Sequence, residues 1–233
     1  ECRNGVGGSL TNQGYLENAE KVFLEALKLG DEKLGATNPQ SADTYNMMGI
    51  NYYYKNELDK TLEYFIKALN ISIRLFGLNN TRVAKAYNNI AIIYGDKGLH
   101  DEALDYHRQA LDIRTKLLGE KHFDIAQSLE NMGVIYSEIG EDSLALASHL
   151  KALAIKKELL GKNHPEVGYS YTNIGFLYDK NGEKEKARRY YQQDLEIMIE
   201  RLGEKNREVA MSHNNIAATY DGQKKYDLAL QHY

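Results

Sequence analysis

The sequence predicts an all-α solenoid of stacked antiparallel helix pairs, and three observations predict it. Gly35, Gly77, Gly119, Gly161 and Gly203 stand 42 residues apart without a slip, and a fixed period of 20–50 residues marks stacked supersecondary units. Other slots keep the same beat. One holds Tyr52, Tyr94, Tyr136, Tyr178 and Tyr220; three residues earlier come Gly49, Ala91, Gly133, Gly175 and Ala217, and one before those Met48, Ile90, Met132, Ile174 and Ile216. Finally, apolar residues within a unit recur at i, i+3, i+4 and i+7, as in Ile90, Tyr94, Leu104, Leu111 and Leu118. A stripe of that kind needs a neighbour to cover it.

Further slots complete the pattern. Ala103, Ala145, Ala187 and Ala229 share one, with Thr61 in the first full unit. Phe65 and Tyr191 share another with His107 and His149. Tyr45, Tyr87, Leu129, Tyr171 and His213 hold the slot seven before the recurrent tyrosine. In order, the slots read aromatic-x2-apolar-small-x2-Tyr, then Ala, then aromatic. From about residue 16 onward this resembles the tetratricopeptide repeat, with Tyr where that family has Trp. The family's period is 34 and its unit closes on Pro; here the closing slot holds Ile73, Thr115, Lys157 and Ile199. Without Pro to break it, the second helix is expected to run about two turns longer. Together with linkers such as Gly-Lys-Asn-His-Pro-Glu-Val at 161–167, this is similar to the long repeats of kinesin light chains. The resemblance implies a right-handed superhelical array.

The elements follow in chain order. Residues 1–15 carry Gly5, Gly7, Gly8 and Gly14, which suit neither a helix interior nor a strand. The segment is expected to be a degenerate or flexible start, tolerant of substitution at Gly5 and Gly7. Residues 16–233 read as a single array with units near 16–41, 42–83, 84–125, 126–167, 168–209 and 210–233, the last cut short. A second-type helix B is expected near 16–34. Pairs follow, with helix A near 42–55, 84–97, 126–139, 168–181 and 210–223. Helix B lies near 58–76, 100–118, 142–160 and 184–202, with a stub from 226. Gly98, Gly140 and Gly182 allow tight reversals inside the pairs. The metronomic glycines follow helix B, where a left-handed cap is expected.

Bulk chemistry narrows the function. The net charge is −4, from 33 acidic and 29 basic residues, with none of the concentrated basic face that nucleic acid requires. No stretch approaches the 18 apolar residues of a membrane span. The lone cysteine, Cys2, has no partner for an internal disulfide and suits a reducing, cytoplasmic setting. Gly5-Val6-Gly7-Gly8 lacks the Lys-Ser/Thr that follows in a phosphate loop. His122 and His164 share one linker slot with Asn38, Asn80 and Asn206. A repeat apart is on the order of 10 Å, too far for two ligands each about 2 Å from one zinc, so these histidines read as caps for backbone groups. His107 and His149 read as packing residues in a core aromatic slot, and the tyrosines as packing with a hydroxyl to spare. No catalytic arrangement, cofactor or metal site is legible, and the chain is not expected to be an enzyme.

One polar row stands out. Asn89, Asn131, Asn173 and Asn215 recur two residues before the small slot, Met47 breaking the row. Asn46, Asn88, Glu130, Thr172 and Asn214 stand beside them. Asn is a poor helix residue, but its amide offers donors and an acceptor that match a peptide backbone. It could equally bridge to a neighbouring helix. In the resembled family helix A lines the concave groove. The resemblance therefore implies a peptide-binding groove of Lys85, Asn88, Asn89, Gln127, Asn131, Tyr169, Asn173, Asn214 and Asn215, with an acidic side of Asp96, Glu138, Asp179 and Asp221. The expected function is non-catalytic: an adaptor or scaffold holding an extended segment of a partner protein, neutral or basic in character, with neither nucleic acid nor membrane as partner. The alternatives are a regulatory sensor domain of a larger signalling protein and a passive spacer. The cut edge at Leu228 and Leu230 is expected to self-associate.

Overall fold

The computed structural model describes residues 2–35 and 37–233, the side chain of Cys2 excepted. Among the described residues there are twelve α-helices and no strand. The chain divides into two compact units, Glu1–Leu117 and Leu118–Tyr233.

In the first unit A-type and B-type helices alternate: α1 (Cys2–Asn12), α2 (Leu16–Leu34), α3 (Pro39–Tyr54), α4 (Leu58–Phe76), α5 (Thr81–Asp96) and α6 (His100–Leu118). From α1 to α5 each helix packs on the next, and α1 also meets α3. The core runs through Phe23, Met48 and Tyr52 at one end and Phe65, Leu69, Val83, Ile90 and Ile93 at the other. The second unit repeats the plan with α7 (Phe123–Glu138), α8 (Asp142–Leu160), α9 (Pro165–Lys180), α10 (Lys184–Leu202), α11 (Arg207–Asp221) and the short α12 (Tyr226–Leu230). Each helix again packs on its successor, around Leu153, Val167, Tyr171, Ile174 and Ile197 and then Ala187, Tyr191 and Ile216.

The B helices fall where the periodicity places them, while the A helices begin three residues earlier than expected. The linker slot is itself the cap. Asn38, Asn80, His122, His164 and Asn206 each accept a backbone N–H from the first turn, a bond worth about 1 kcal/mol. Pro39 and Pro165 sit in that first turn, where no N–H is missed. The two linker histidines are caps, as their slot mates imply.

The glycine-rich start is a correction. It forms α1, and its glycine is there for packing. A Cβ on Gly7 would lie 2.4 Å from the Phe23 ring, and one on Gly8 2.5 Å from Met47. Thr11 Oγ1 donates to Asn51 Oδ1 at 3.0 Å, and Thr44 Oγ1 to Asn4 Oδ1 at 2.9 Å, tying α1 to α3. Tertiary packing here outweighs poor helix propensity. Gly5 meets nothing within 4 Å, so tolerance is expected there and not at Gly7.

The same contact recurs down the chain. A Cβ on Gly49 would meet Phe65 at 2.4 Å, on Gly133 His149 at 2.6 Å, and on Gly175 Tyr191 at 2.7 Å. Phe65, His149 and Tyr191 of helix B thus lie against bare backbone of helix A, where the His107 repeat has Ala91. A second ring system locks the pairs. Tyr64 stacks between Tyr45 and Tyr52 at 6.1 and 5.2 Å. Tyr106 lies between Tyr87 and Tyr94 at 5.7 and 5.4 Å, and Tyr190 between Tyr171 and Tyr178 at 6.0 and 5.5 Å. Such pairs add about 0.5–1.5 kcal/mol beyond burial. Leu129 and Ser148 take the outer and middle slots in the α7–α8 repeat, and in the last His232 lies between His213 and Tyr220 at 5.3 and 5.9 Å.

The glycines after helix B differ from expectation in one respect. Gly35, Gly77, Gly161 and Gly203 have φ of 79, 74, 82 and 78° with ψ of 161, 174, 159 and 157°. This is extended backbone at positive φ, open essentially to glycine alone, rather than the left-handed helical cap. The reversal slot inside the pairs is more permissive: Asn56 and Lys224 hold φ of 60 and 59° where other repeats have Gly98, Gly140 and Gly182. Gly161→Asn is therefore expected to cost about 1–3 kcal/mol, with no steric clash to blame. Gly140→Asn should cost less than about 1 kcal/mol, since Asn visits the left-handed region readily. Equal losses in urea unfolding would contradict this assignment.

His149 is 2% exposed. Burial, followed by the charge of Lys156, pushes its pKa from 6.5 down to about 4. The unfolded chain takes up this proton near pH 6.5 and the folded chain does so only near pH 4, so stability falls as pH drops through that window. The loss is on the order of 3 kcal/mol. His149→Phe, which recreates the Gly49–Phe65 pair against Gly133, should lessen the fall in melting temperature between pH 7 and 4.5, the buried His107 keeping its own share. An unchanged pH slope would contradict a buried neutral imidazole.

Candidate peptide-binding face

The outward face of each A helix presents three slots at i, i+4 and i+7. In the first unit α5 supplies Lys85, Asn89 and Ile92. With Ile50 and Tyr53 of α3, and with Phe65 and Ile93 beneath, they line a cavity of about 350 Å³. Asn89 Nδ2 donates to Asn46 Oδ1 of α3 at 2.9 Å, so this member of the row bridges successive A helices while its edge lines the cavity. Asn88 is buried at 6% exposure, beneath this face. Tyr53 is hydrogen-bonded to Asp96, and burial followed by that carboxylate raises its pKa.

In the second unit the same three slots hold Gln127, Asn131 and Val134 on α7, Tyr169, Asn173 and Phe176 on α9, and Met211, Asn215 and Ala218 on α11. The asparagines are half-buried, Gln127 is exposed, and Asn214 beside Asn215 is exposed. Around them Val134, Tyr169, Phe176 and Met211 are 44, 39, 58 and 47% exposed. The apolar slot Ile50, Ile92, Val134, Phe176 and Ala218 was the missed member of the face. It keeps the 42-residue period but is easily mistaken for core.

The slot next to the asparagine row turns inward. Glu130 Oε2 accepts from Lys156 Nζ at 2.6 Å and Glu166 Oε2 does so at 2.8 Å. The Ser170 hydroxyl donates to Glu130 as well. Lys156 is 1% exposed, so this network pins α7, α8 and α9 together, and a buried charge of that kind is tolerable only when paired. On the acidic side, Asp179 pairs with Lys184 at 2.9 Å. Asp96, Glu138 and Asp221 are exposed. No group of three or more His, Cys, Asp or Glu side chains among the described residues could hold a metal ion. No helix among them is long and apolar enough to cross a membrane.

The tetratricopeptide repeat pattern matches residues 3–74, 52–115, 82–158 and 144–198. The chain belongs to the tetratricopeptide repeat family. Its fold class is the all-α repeat solenoid of that family, its repeats are of the 42-residue, kinesin-light-chain-like type, and it is a protein-interaction module. Among solved structures it is similar to BtubC (BKLC) from P. vanneervenii, with 26% identity over 82% of this chain and 76% of that one, at a TM-score of 0.73. It is also similar to a kinesin light chain-like protein of Podosopora anserina with nearly identical repeats, with 16% identity over 86% and 95% of the two chains and a TM-score of 0.71. A third is the quorum sensor NprR from B. thuringiensis, with 18% identity over 99% and 61% and a TM-score of 0.73; NprR is also solved in complex with its cognate peptide NprX. No curated protein matches the chain.

Proposed function

We propose that the outward face of the A helices holds an extended peptide segment of a partner protein, and that the chain acts as a non-catalytic adaptor or scaffold in the cytoplasm. The cavity of about 350 Å³ beside Lys85, Asn89 and Ile92 carries this reading. It joins an apolar floor to a cation and an amide on one helix face, the combination that seats a side chain while meeting its backbone. The repetition of amide and apolar slots on α7, α9 and α11 supports the same use in the second unit. Exposed aromatic and apolar side chains such as Tyr169, Phe176 and Met211 are what an interface core requires. NprR, of the same fold, binds its peptide NprX.

Lys85, Asn89, Gln127, Asn131, Tyr169, Asn173, Asn214 and Asn215 are the proposed contacts, with Asn88 supporting from beneath. Asp96, Glu138 and Asp221 favour a neutral or basic ligand; Asp179 contributes less, because Lys184 already faces it. Self-association through the exposed Leu228 and Leu230 of α12 belongs to the same reading.

Calorimetry on a peptide mapped from a captured partner tests it. Asn131→Ala with Asn173→Ala should weaken binding about ten-fold, at 0.5–1.5 kcal/mol per lost bond. Phe176→Ala should weaken it comparably, and Lys116→Ala on the outer surface should leave it unchanged. Normal binding by the Asn and Phe variants, or a loss that merely tracks melting temperature, would overturn the reading.

A further inference from the structure

We propose a second binding site on the B-helix side of the second unit, independent of the A-helix face, that takes an acidic peptide segment of a partner protein. The site is a cavity of about 500 Å³ between α8 and α10. Its floor is the ring trio Tyr171, Tyr190 and Tyr178, and Leu150, 42% exposed, forms an aliphatic wall. Three cations rim it. Lys157 Nζ stands 4.8 Å from the Tyr171 ring centre and Lys186 Nζ 5.1 Å from that of Tyr178. Arg189 completes the rim.

The charge at this cavity is one-sided. No carboxylate lines it. Lys186 is ion-paired with Glu183 outside the cavity, while neither Lys157 nor Arg189 has an ion pair among the described residues. The fold does not demand these cations. Two repeats earlier, around the equivalent trio Tyr87, Tyr106 and Tyr94, the matching slots hold Ile73, Glu102 and Asp105. The ring trio forms there without them, so Lys157, Lys186 and Arg189 are surplus to packing. Cations held beside aromatic faces attract carboxylates, and the rings with Leu150 offer an apolar seat between them. The matching ligand is an extended segment with an aliphatic side chain flanked by Asp or Glu. Its charge is opposite to that favoured by the A-helix face, so the two sites discriminate between ligands.

Fluorescence anisotropy at low salt tests this with a short labelled peptide carrying leucine between aspartate and glutamate pairs. Saturable binding is expected, weakening as salt is raised. Lys157→Ile with Arg189→Asp, residues the first unit already carries in these slots, should reduce affinity by at least about ten-fold. The peptide with Asn and Gln in place of its acids should bind at least about ten-fold more weakly. Asn131→Ala with Asn173→Ala should leave binding unchanged, which separates this site from the A-helix face. Absence of saturable binding, indifference to the double substitution or to peptide charge, or loss through the asparagine pair would each overturn the proposal.

Discussion

Four of the helix hairpins rest on the close approach of a helix B ring to bare helix A backbone, while α5 and α11 carry Ala91 and Ala217 in that slot. Gly7 faces Phe23, Gly49 faces Phe65, Gly133 faces His149 and Gly175 faces Tyr191, each pair 16 residues apart. A methyl group in the hole would sit inside van der Waals contact. The hairpin therefore closes only because the A-helix position is small and the B-helix position is flat. Closing these hairpins turns the i, i+4, i+7 face of helix A outward. The face proposed to bind peptide is thus a by-product of a packing rule.

Within the period, residues change in compensating sets. Four repeats place Ala at the slot of Ala42, Ala84, Ala126 and Ala210, and the fifth has Gly168. Opposite it, Asp194 replaces the alanine seen at 68, 110 and 152, and a Cβ on Gly168 would lie 2.6 Å from the Asp194 carboxylate. That carboxylate is 3% exposed and accepts from the Ser212 hydroxyl at 2.5 Å. Burial raises its pKa, with the Ser212 and Thr172 hydroxyls pulling the other way. One repeat earlier the buried charge is Lys156 with Glu130 in place of Met198 with Thr172. Substitutions in facing slots are thus coupled within each junction, as a chain of nearest-neighbour interfaces requires.

Most of the fold was legible because repetition multiplies a weak local signal. Five glycines in phase locate the ends of helix B, and the slot of Asn38, Asn80, His122, His164 and Asn206 marked its histidines as caps, although the A helices were expected to start three residues later. The first hairpin was missed because glycine content was weighed as propensity; Gly7 stands 42 residues before Gly49 and Phe23 stands 42 before Phe65, which was the available signal. The cap conformation was not legible, since composition distinguishes positive φ but not ψ. On the binding face the asparagine row was visible, whereas the exposed apolar slot of Ile92, Val134 and Phe176 was not, because a periodic apolar residue in a helix reads as core until burial is known. The burial of Asn88 and the inward turn of Glu130 depend on partners from other helices, which a single row of the pattern does not contain.

A double-mutant cycle at one hairpin tests the central claim directly. Gly175→Leu, Tyr191→Ala and the pair would be unfolded in urea. If the ring occupies the hole that glycine leaves, each single change is costly: the first by overpacking, about 1–3 kcal/mol, and the second by a cavity, about 3–5 kcal/mol. Together they should be less destabilising than their sum by about 1–3 kcal/mol, because the leucine fills the space the ring vacates. Strict additivity would mean that the two positions do not meet and that some other contact closes the hairpin.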